Sequence, residues 1–543
     1  MSEAADYAEP EDRTRPRLPR QIAYIIGNEG CERFSFYGMR NILTQFLISS
    51  TLLFAASELV PKEEREGAAK EVFHTFVLGV YFFPLLGGWI SDRFLGKYRT
   101  ILYLSLVYCV GQACLAIFVN DKTGFYFGLF LIALGSGGIK PCVSAFVGDQ
   151  FDQSNKSLAK VVFDAFYWII NFGSFFASLL MPAFLRHFGP EVAFGIPGVL
   201  MFVSTVILWL GRHLYVNVPP APPHPDSFLR VARTALVTAG PNGPDRPGLV
   251  LAVGGGLAAA VCVVLGFVDL GRILLANAEP TLGVAQWWCL GLVVAIGFAG
   301  AGTWRQLDRA RSTHPVEAVD GARHVLRILV LFALVTPFWS LFDQKASTWV
   351  LQANGMTKPS WFESSQMQAL NPLLVMLLIP FNNLVLYPAL RRRGVEPTAL
   401  RRMCAGIAFS GLSWVAAGVL QLFLEAGEPV SIAWQVLPYA LLTFGEVLVS
   451  ATGLEFAYSQ APGPMKGAIL AFWSLSVTVG NLWVLLVNRT IKAEAVTETL
   501  RQSGIGVTSF LMFFFAGFAF LAALAFGLYA ARYPLADHYR KVE

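Results

Sequence analysis

Residues 29–40 read EGCERFSFYGMR and lead directly into the apolar run NILTQFLISSTLLF. The stretch carries four formal charges, on Glu29, Glu32, Arg33 and Arg40. An apolar run of about 20 residues is long enough to cross a bilayer as a helix. Charges within such a helix are costly in lipid, so the fold must give them an interior to face.

The composition is that of an integral membrane protein. Of the 543 residues, 55% are hydrophobic and 14% are charged, whereas soluble domains are about 45–50% apolar and about 25% charged. The net charge of +5 does not indicate nucleic-acid binding, because the basic residues lie in short loops, where they set membrane topology. The seven cysteines lack metal-ligand spacing and are interpreted as small buried hydrophobes.

Fourteen apolar segments are each long enough to span a membrane. They lie at residues 29–53, 73–94, 98–119, 124–147, 161–185, 191–213, 249–270, 284–303, 326–352, 368–390, 401–424, 431–457, 466–488 and 506–531. A Pro-rich stretch at about 214–247 separates the first six from the rest. The pair 249–270 and 284–303 consists mainly of Gly, Ala, Val and Leu and is interpreted as lipid-facing filler between two six-span halves.

This pattern predicts an all-α membrane protein made of two six-helix bundles and two inserted helices. The predicted units are a cytoplasmic tail (1–21), an N-terminal bundle (22–213), a linker with the two extra helices (214–323), a C-terminal bundle (324–532) and a second cytoplasmic tail (533–543). Basic loops alternate with acidic or neutral ones along the chain, so both termini are predicted to be cytoplasmic.

The polar and aromatic positions of the first span form one helical stripe. Positions 29, 32, 33, 36, 37 and 40 follow the i, i+3, i+4, i+7, i+8, i+11 spacing of a single face. Glu29 and Arg33 are placed to pair with each other, and Glu32 and Arg40 are left to find partners on other helices. The stripe is expected to line water; the alternative is a set of structural salt bridges between helices.

Three later spans supply charges that could be those partners. Lys140 is near the middle of span four, Asp343 ends the span 326–352, and Glu446 is deep in a later span. Depth and sign alone predict a pair Arg40–Asp343 near the outside and a pair Lys140–Glu446 deeper in the membrane, with Glu32 as another candidate for Lys140.

Several uncharged or weakly basic groups add to this interior. His74 could accept a proton near neutral pH, or could be an interfacial histidine bonded to water. Asn171 and Asn371 are equally compatible with a site and with hydrogen bonding between helices. The loop GGWISDRFLGKYRT (87–100) is expected to fix two helices and to offer charge partners to a neighbouring one.

These motifs resemble those of a known family. The loop GGWISDRFLGKYRT resembles the signature loop of the major facilitator superfamily, and EGCERFSFYG resembles the ExxERFxYYG motif of the proton-dependent oligopeptide transporter (POT) family. GGIKPCVSAFVGDQF, FYWIINFGS and FDQKASTWVLQ resemble segments of that family's helices four, five and seven. The resemblance covers about residues 22–490 and implies a major facilitator fold of 12 transport helices plus two inserted ones, which are typical of bacterial members.

The resemblance implies a proton-coupled symporter that imports di- and tripeptides across an inner membrane. Protons are expected as the coupling ion, no metal or other cofactor is expected, and the chain is expected to work as a monomer. The resemblance implies proton coupling by Glu29, Glu32, Arg33, Asp343, Glu446 and His74. It implies substrate binding by Arg33, Tyr37, Arg40, Tyr81, Lys140, Asn171, Trp339, Asn371, Glu446, Ser450 and Trp473. It implies gate salt bridges among Arg40, Asp343, Lys140 and Glu446. The chain departs from the family motif at Phe36, where the first tyrosine of the YY pair is expected.

Three other functions stay open at this point. A relative could carry nitrate, a drug or an amino-acid conjugate, although the intact ExxER motif with Lys140 and Glu446 disfavours it. A proton-driven exporter would use the same buried charges. A membrane enzyme is disfavoured, because the sequence contains no HExxH or GxSxG motif.

Overall fold

The computed structural model describes residues 18–54, 60–151, 156–220, 224–238, 246–275, 280–460, 465–491, 500, 502 and 506–534. Almost all of the two predicted cytoplasmic tails, 1–21 and 533–543, lies outside these residues.

The first half of the chain forms six long helices. They are α1 (Gln21–Ser49), α2 (Lys62–Phe82), α3 (Lys97–Ile117), α4 (Lys122–Asp149), and α5 (156–188) and α6 (190–210) within the segment Lys156–Leu210. Gly189 separates α5 from α6 with a φ of 81°, which side chains other than glycine rarely adopt. Pro190 then occupies the first position of α6, where its missing N–H costs nothing.

The rest of the chain contains a short helix, an inserted hairpin and six further long helices. They are α7 (Phe228–Val237), α8 (Pro247–Leu275), α9 (Val284–Gln306), α10 (Val316–Asp343), α11 (Leu370–Phe381), α12 (Ala399–Glu425), α13 (Val436–Ser459), α14 (Lys466–Ile491) and α15 (Val507–Ala530). α11 continues without a break through Asn382–Leu386 to Arg392.

The described residues contain fourteen helices that can cross a membrane, as predicted. Length and hydropathy alone identify 12 candidate spans. That number counts α5 and α6 as one continuous helix and leaves out α1, because its four charges lower its mean hydropathy. The prediction of an all-α membrane protein is confirmed.

Three large groups of buried side chains form the core of the described residues. One is built almost entirely from residues between Ile22 and Tyr215, and the other two from residues between Phe228 and Tyr533 and between Leu341 and Ala519. The first half therefore has its own core and the second half has two, which is compatible with two packed bundles. The predicted limits of the bundles, 22–213 and 324–532, stay a prediction.

The loop 87–100 has the structural role that the sequence predicts. Helical backbone continues past α2 through Pro84–Ile90 and Ser91–Leu95, and Gly96 turns the chain with a φ of 74°. Lys97, the first residue of α3, then places its Nζ 2.5 Å from Oδ2 of Asp149 at the end of α4. The loop therefore connects α2 to α3 along the chain, and one ion pair ties it to α4.

The inserted hairpin α8–α9 is only partly the lipid-facing filler that was predicted. In the most apolar part of each hairpin helix only 17% of the residues are buried, against 67% for the segment Val316–Asn354. Most of the hairpin surface is therefore apolar and exposed, as a lipid-facing surface is. Its tip, however, contacts α2 through Gln286 and α14 through Arg489. The interpretation as filler is wrong for that end, because the tip buries polar groups against both halves.

Close contact between α4 and the backbone after α2 gives a test of the packing. A Cβ on Gly87 would lie 2.1 Å from the carbonyl oxygen of Gly138, whereas a Cβ on the adjacent Gly88 would have its nearest neighbour, Cγ of Pro141, at 4.0 Å. Overpacking of this kind costs about 1–3 kcal/mol. We expect Gly87→Ala to lower the thermal unfolding temperature in detergent and Gly88→Ala, the matched control, to leave it nearly unchanged. Equal temperatures for the two variants would contradict this packing.

Candidate functional site

Three charged residues of α1 form a single buried cluster. Nε of Arg33 lies 2.6 Å from Oε1 of Glu29 and 2.8 Å from Oε2 of Glu32. The first contact is the i,i+4 pair expected from the sequence. Glu32 also reaches α4, where Oγ of Ser136 donates to its Oε1 at 3.3 Å. All three charges are almost wholly buried, so each depends on the others for compensation.

Lys140 on α4 makes no such pair. Its Nζ lies 4.1 Å from the centroid of the Tyr81 ring and 4.7 Å from that of Phe36. An ammonium group over an aromatic face is held by the negative potential of the ring. In the part of the chain that the structure describes, no carboxylate lies within 4 Å of this nitrogen. The predicted contact Lys140–Glu446 is therefore wrong for this structure, because Lys140 is turned toward the aromatic rings of its own half.

Arg40 and Asp343 form the ion pair that depth and sign predicted. Nη2 of Arg40 on α1 lies 2.7 Å from Oδ1 of Asp343 at the end of α10, and both side chains are buried. The pair joins the two halves of the chain. We call the end of the helix bundle that carries it the gate end.

Asn481, His74 and Ser347 extend this pair into a chain of five polar residues. Nδ2 of Asn481 on α14 donates to Oδ2 of Asp343 at 2.8 Å, and Oδ1 of Asn481 lies 2.7 Å from Nδ1 of His74. Because the amide oxygen faces His74, Nδ1 carries a proton and donates it. Nε2 of the ring is 2.9 Å from Oγ of Ser347, which can donate to it when the ring is neutral. His74 is fully buried, so the interpretation as an interfacial residue bonded to water is wrong.

Glu446 on α13 belongs to a separate cluster in the second half. Nδ2 of Asn371 donates to Oε2 of Glu446 at 2.5 Å and contacts Oγ1 of Thr443 at 3.0 Å. Nζ of Lys345 donates to Oδ1 of the same Asn371 at 2.8 Å. The amide of Asn371 therefore stands between the buried ammonium group of Lys345 and the partly buried carboxylate of Glu446.

The aromatic candidates line the region around these clusters. Trp339 and Trp473 meet edge to face with their centroids 5.7 Å apart, and Tyr37 meets Phe36 at 5.4 Å. Ser450 lies one helical turn after Glu446 on α13, hence on the same face. Asn171 is different, because its Nδ2 donates to the carbonyl of Tyr167 in its own helix.

Together the three clusters carry balanced charge. Glu29, Glu32, Arg33 and Lys140 contribute two charges of each sign, Arg40 balances Asp343, and Lys345 balances Glu446. Isolated charges are very expensive in a low-dielectric interior, whereas balanced groups are tolerated. Protonation of any one carboxylate would leave a cation without compensation, so the arrangement can couple proton binding to movement of side chains.

Hydrogen bonds between the halves gather at the gate end. Oγ1 of Thr44 donates to the carbonyl of Ala346 at 2.9 Å, and Nε2 of Gln368 donates to that of Asn41 at 3.2 Å. Nearer the surface, Nη1 of Arg186 lies 2.8 Å from Oε1 of Glu363. With the Arg40–Asp343 pair, these contacts connect the two halves at this end of the bundle.

Comparison with known proteins identifies the family. Residues 98–505, three quarters of the chain, match the POT family, also described as PTR2. The chain belongs to the POT family. The resemblance found in the ExxER stretch is thereby confirmed, and with it the major facilitator fold.

POT transporters of known structure are similar over nearly their whole length. The chain is 65% identical to the POT family transporter PepTSo. The match includes 96% of this chain and 100% of PepTSo, and the two structures superimpose with a TM-score of 0.90. An auto-inhibited POT family peptide transporter is 61% identical, with 96% and 99% coverage and the same TM-score of 0.90. Both of these structural neighbours are transporters.

Animal proteins that the chain resembles are more distant and longer. Solute carrier family 15 member 2 of Oryctolagus cuniculus is 31% identical over 442 residues, which are 77% of this chain and 52% of that protein. Peptide transporter family 1 of Drosophila melanogaster is 34% identical over 425 residues, or 75% of this chain and 48% of that protein. This POT chain therefore spans about half the length of these animal relatives.

Sequence reasoning missed the uncharged and basic residues that connect the clusters. Asn481, Ser347 and Lys345 were not predicted as site residues. A signal was available for Asn481, which is a lone amide in the apolar run NLWVLLV of α14. The position of Lys345 one turn from Trp349 gave no comparable signal, because an interfacial lysine has the same pattern.

The Arg40–Asp343 pair can be tested by a double-mutant cycle of stability. Arg40→Met leaves a buried carboxylate without its cation, which typically costs about 3–5 kcal/mol. We expect Arg40→Met and Asp343→Leu each to lower the unfolding temperature in detergent, and the double variant to recover most of the loss. The control cycle Arg186→Met with Glu363→Leu removes a half-exposed pair, worth about 0–1 kcal/mol. Additive losses at Arg40 and Asp343 would show that the two groups are not coupled.

Proposed function

We propose that this chain is a proton-coupled symporter that imports di- and tripeptides across a cell inner membrane, working as a monomer with protons as its only coupling ion. In this proposal the gate end faces the outside, and both termini are cytoplasmic. The arginines between α11 and α12, at 391–393 and 401–402, would then lie on the cytoplasmic side, as the positive-inside rule requires.

The observation that carries the proposal is the set of buried, charge-balanced clusters supplied by both halves of a POT family chain. A transporter that alternates between two faces needs contacts between its halves that can break and reform. It also needs a reason for proton binding to favour one arrangement. Buried carboxylates paired with arginine supply both.

A zwitterionic peptide matches the charges in this interior. Lys140 has no carboxylate within 4 Å in the described structure, so its ammonium group is available to the carboxylate of a ligand. Arg33 is close in sequence to the Phe36 ring that Lys140 contacts, and we assign it to the same end of the peptide. Glu446 and Asn371 in the opposite half offer oxygens to the peptide amino group.

The substrate side chains would lie among aromatic surfaces that tolerate variety. Tyr37, Tyr81, Trp339 and Trp473 are proposed as these surfaces, with Ser450 as a further polar contact. Phe36 offers no hydroxyl where the family motif expects tyrosine, and its ring instead lies beneath Lys140. Asn171 is proposed to reach the peptide only after it releases the carbonyl of Tyr167.

Proton binding would loosen the clusters in turn. Protonation of Asp343 removes the charge that holds Arg40, and the gate end can open. Protonation of Glu32, with Glu29 still ionised, changes the balance around Arg33 and so the affinity for the peptide carboxylate. The membrane potential adds about 2.3 kcal/mol per elementary charge per 100 mV and thereby drives the cycle inward. His74 is proposed to respond to Asp343 through Asn481.

The alternatives make different predictions. A POT relative specific for nitrate or a drug would not need a cation on one half and an acid on the other. An exporter would move substrate out of proteoliposomes when the outside is acidified. An enzyme would release a turnover product, and the proposed cycle has none.

Uptake of di-alanine into proteoliposomes tests the proposal directly. We expect wild-type protein to accumulate the dipeptide under an imposed inward proton gradient and to exchange it without one. Glu32→Gln removes a titratable group while keeping the shape of the side chain. Driven uptake should fall by roughly tenfold, which corresponds to 1.4 kcal/mol of lost coupling, whereas exchange should fall much less.

Glu425→Gln is the matched control for this assay. Glu425 accepts from Oγ of Ser509 at 2.7 Å and caps α15, outside the three clusters, so its substitution should leave the ratio of driven uptake to exchange unchanged. Absence of dipeptide uptake by wild type would reject the proposed function. Equal loss of driven uptake and exchange in Glu32→Gln would reject Glu32 as a coupling residue.

A further inference from the structure

The tip of the inserted hairpin α8–α9 is built around one buried acid. Asp269 near the end of α8 accepts hydrogen bonds from the backbone N–H groups of Thr281, Leu282 and Gly283 at 2.8–3.0 Å. Nε1 of Trp287 on α9 is a further donor at 3.1 Å. A carboxylate that binds three consecutive N–H groups ties residues 281–283 and the start of α9 to the end of α8.

The described part of this tip, residues 280–289, contacts both halves of the transporter. On one side, Nε2 of Gln286 on α9 donates to Oγ1 of Thr75 on α2 at 3.0 Å, and Gln286 is almost fully buried. On the other side, Nη2 of Arg489 on α14 donates to the carbonyl of Pro280 in the turn at 2.6 Å. α2 belongs to the first half and α14 to the second.

Apolar side chains close the space between these two contacts. Leu78 of α2, Cys289 of α9, and Leu482 and Leu485 of α14 form a separate buried cluster. The cluster contains members from both halves and from the hairpin. The tip therefore covers the seam between α2 and α14 from the lipid side.

The hydrogen-bonded residues Asp343, Asn481 and His74 lie on the inner side of the same seam. His74 reaches Asn481 across it at 2.7 Å, and the next residue along α2, Thr75, receives Gln286. Successive residues of a helix point about 100° apart, so α2 presents one residue to the gate and the next to the hairpin. Any separation of α2 from α14 must break contacts on both sides of the seam.

We propose that the hairpin α8–α9 is a clasp that holds α2 and α14 together at the gate end and thereby shifts the equilibrium toward the state closed at that end. The contact of Gln286 with Thr75 is its first-half attachment, and that of Arg489 with Pro280 is its second-half attachment. The proposal goes beyond the proposed function: it concerns relative motion of the two halves, whatever solute they carry.

The test measures opening of the gate end by the distance between two spin labels in full-length protein. The labels are attached to cysteines introduced by His187→Cys and Glu428→Cys. Both positions are exposed and lie on opposite halves of the chain. The four partly exposed cysteines, Cys31, Cys109, Cys114 and Cys404, are first replaced by alanine. In this background Gln286→Leu keeps the size of the side chain and removes its hydrogen bond. Hydrogen bonds between helices in membranes average about 0.6 kcal/mol, so the ratio of open to closed populations should rise about threefold.

Trp288→Phe is the matched control, because it removes a hydrogen bond within the same hairpin. Nε1 of Trp288 donates to the carbonyl of Val263 at 3.3 Å and makes no contact with either half through that bond. It should leave the distance distribution unchanged. Thr75→Val removes the same hydrogen bond from the α2 side, so it should shift the distance distribution as Gln286→Leu does. If one of the two variants folds poorly, the other still tests the contact. Combining both should add little to either.

Two results would overturn the clasp. One is an unchanged distance distribution in both Gln286→Leu and Thr75→Val. The same distances are measured in an Asp343→Asn background, where the open state should be more populated and a shift easier to detect. The other is an equal shift in Trp288→Phe, which would assign the effect to stability of the hairpin itself. If wild-type protein fails to take up di-alanine, the proposed peptide function is rejected. The distance measurements do not depend on that result and still support or overturn the clasp.

Discussion

The whole arrangement depends on one constraint: an ionised side chain inside a membrane helix must be compensated by another group of the protein. Four charges on α1 could not enter lipid singly, and the structure resolves this by facing them inward and balancing each one. The same constraint makes the fold sensitive to protons, because neutralising one group removes the compensation of its partner. A stripe of charges that would weaken an isolated helix therefore becomes the reason why two bundles of helices meet around a polar centre.

The sequence was sufficient where chemistry and helical period act within one element. Glu29 and Arg33 are one turn apart, so their pairing follows from α1 alone. The pairing of Arg40 with Asp343 also followed, since the two lie at the same depth with opposite sign. The same reasoning failed for Lys140 and Glu446. Depth and sign do not fix how a helix is rotated about its axis, and rotation turns Lys140 toward Phe36 and Tyr81.

The connecting amides could not be predicted for a related reason. Asn371 and Asn481 each use both ends of one side chain, donating to a carboxylate through nitrogen and contacting a base through oxygen. An amide can do this because it carries a donor and an acceptor without a charge of its own. An analysis of charged residues alone overlooks such amides, although they determine which basic group is linked to which carboxylate. Nearest neighbours in a polar chain are a property of tertiary packing rather than of residue type.

The inserted hairpin illustrates how a composition can hide a role. Its Gly, Ala, Val and Leu content predicts a lipid-facing surface, which is correct for most of its length. The exceptions are the polar groups at the tip, of which Gln286 and Asp269 are buried. Burying polar groups costs free energy unless they are satisfied, and here they are satisfied by Thr75 and by the backbone of the turn. A segment that served only to fill lipid would have no reason to bury them at the seam where His74 and Asn481 meet. Because the tip is fixed to both halves there, motion of the gate and detachment of the hairpin are the same physical event.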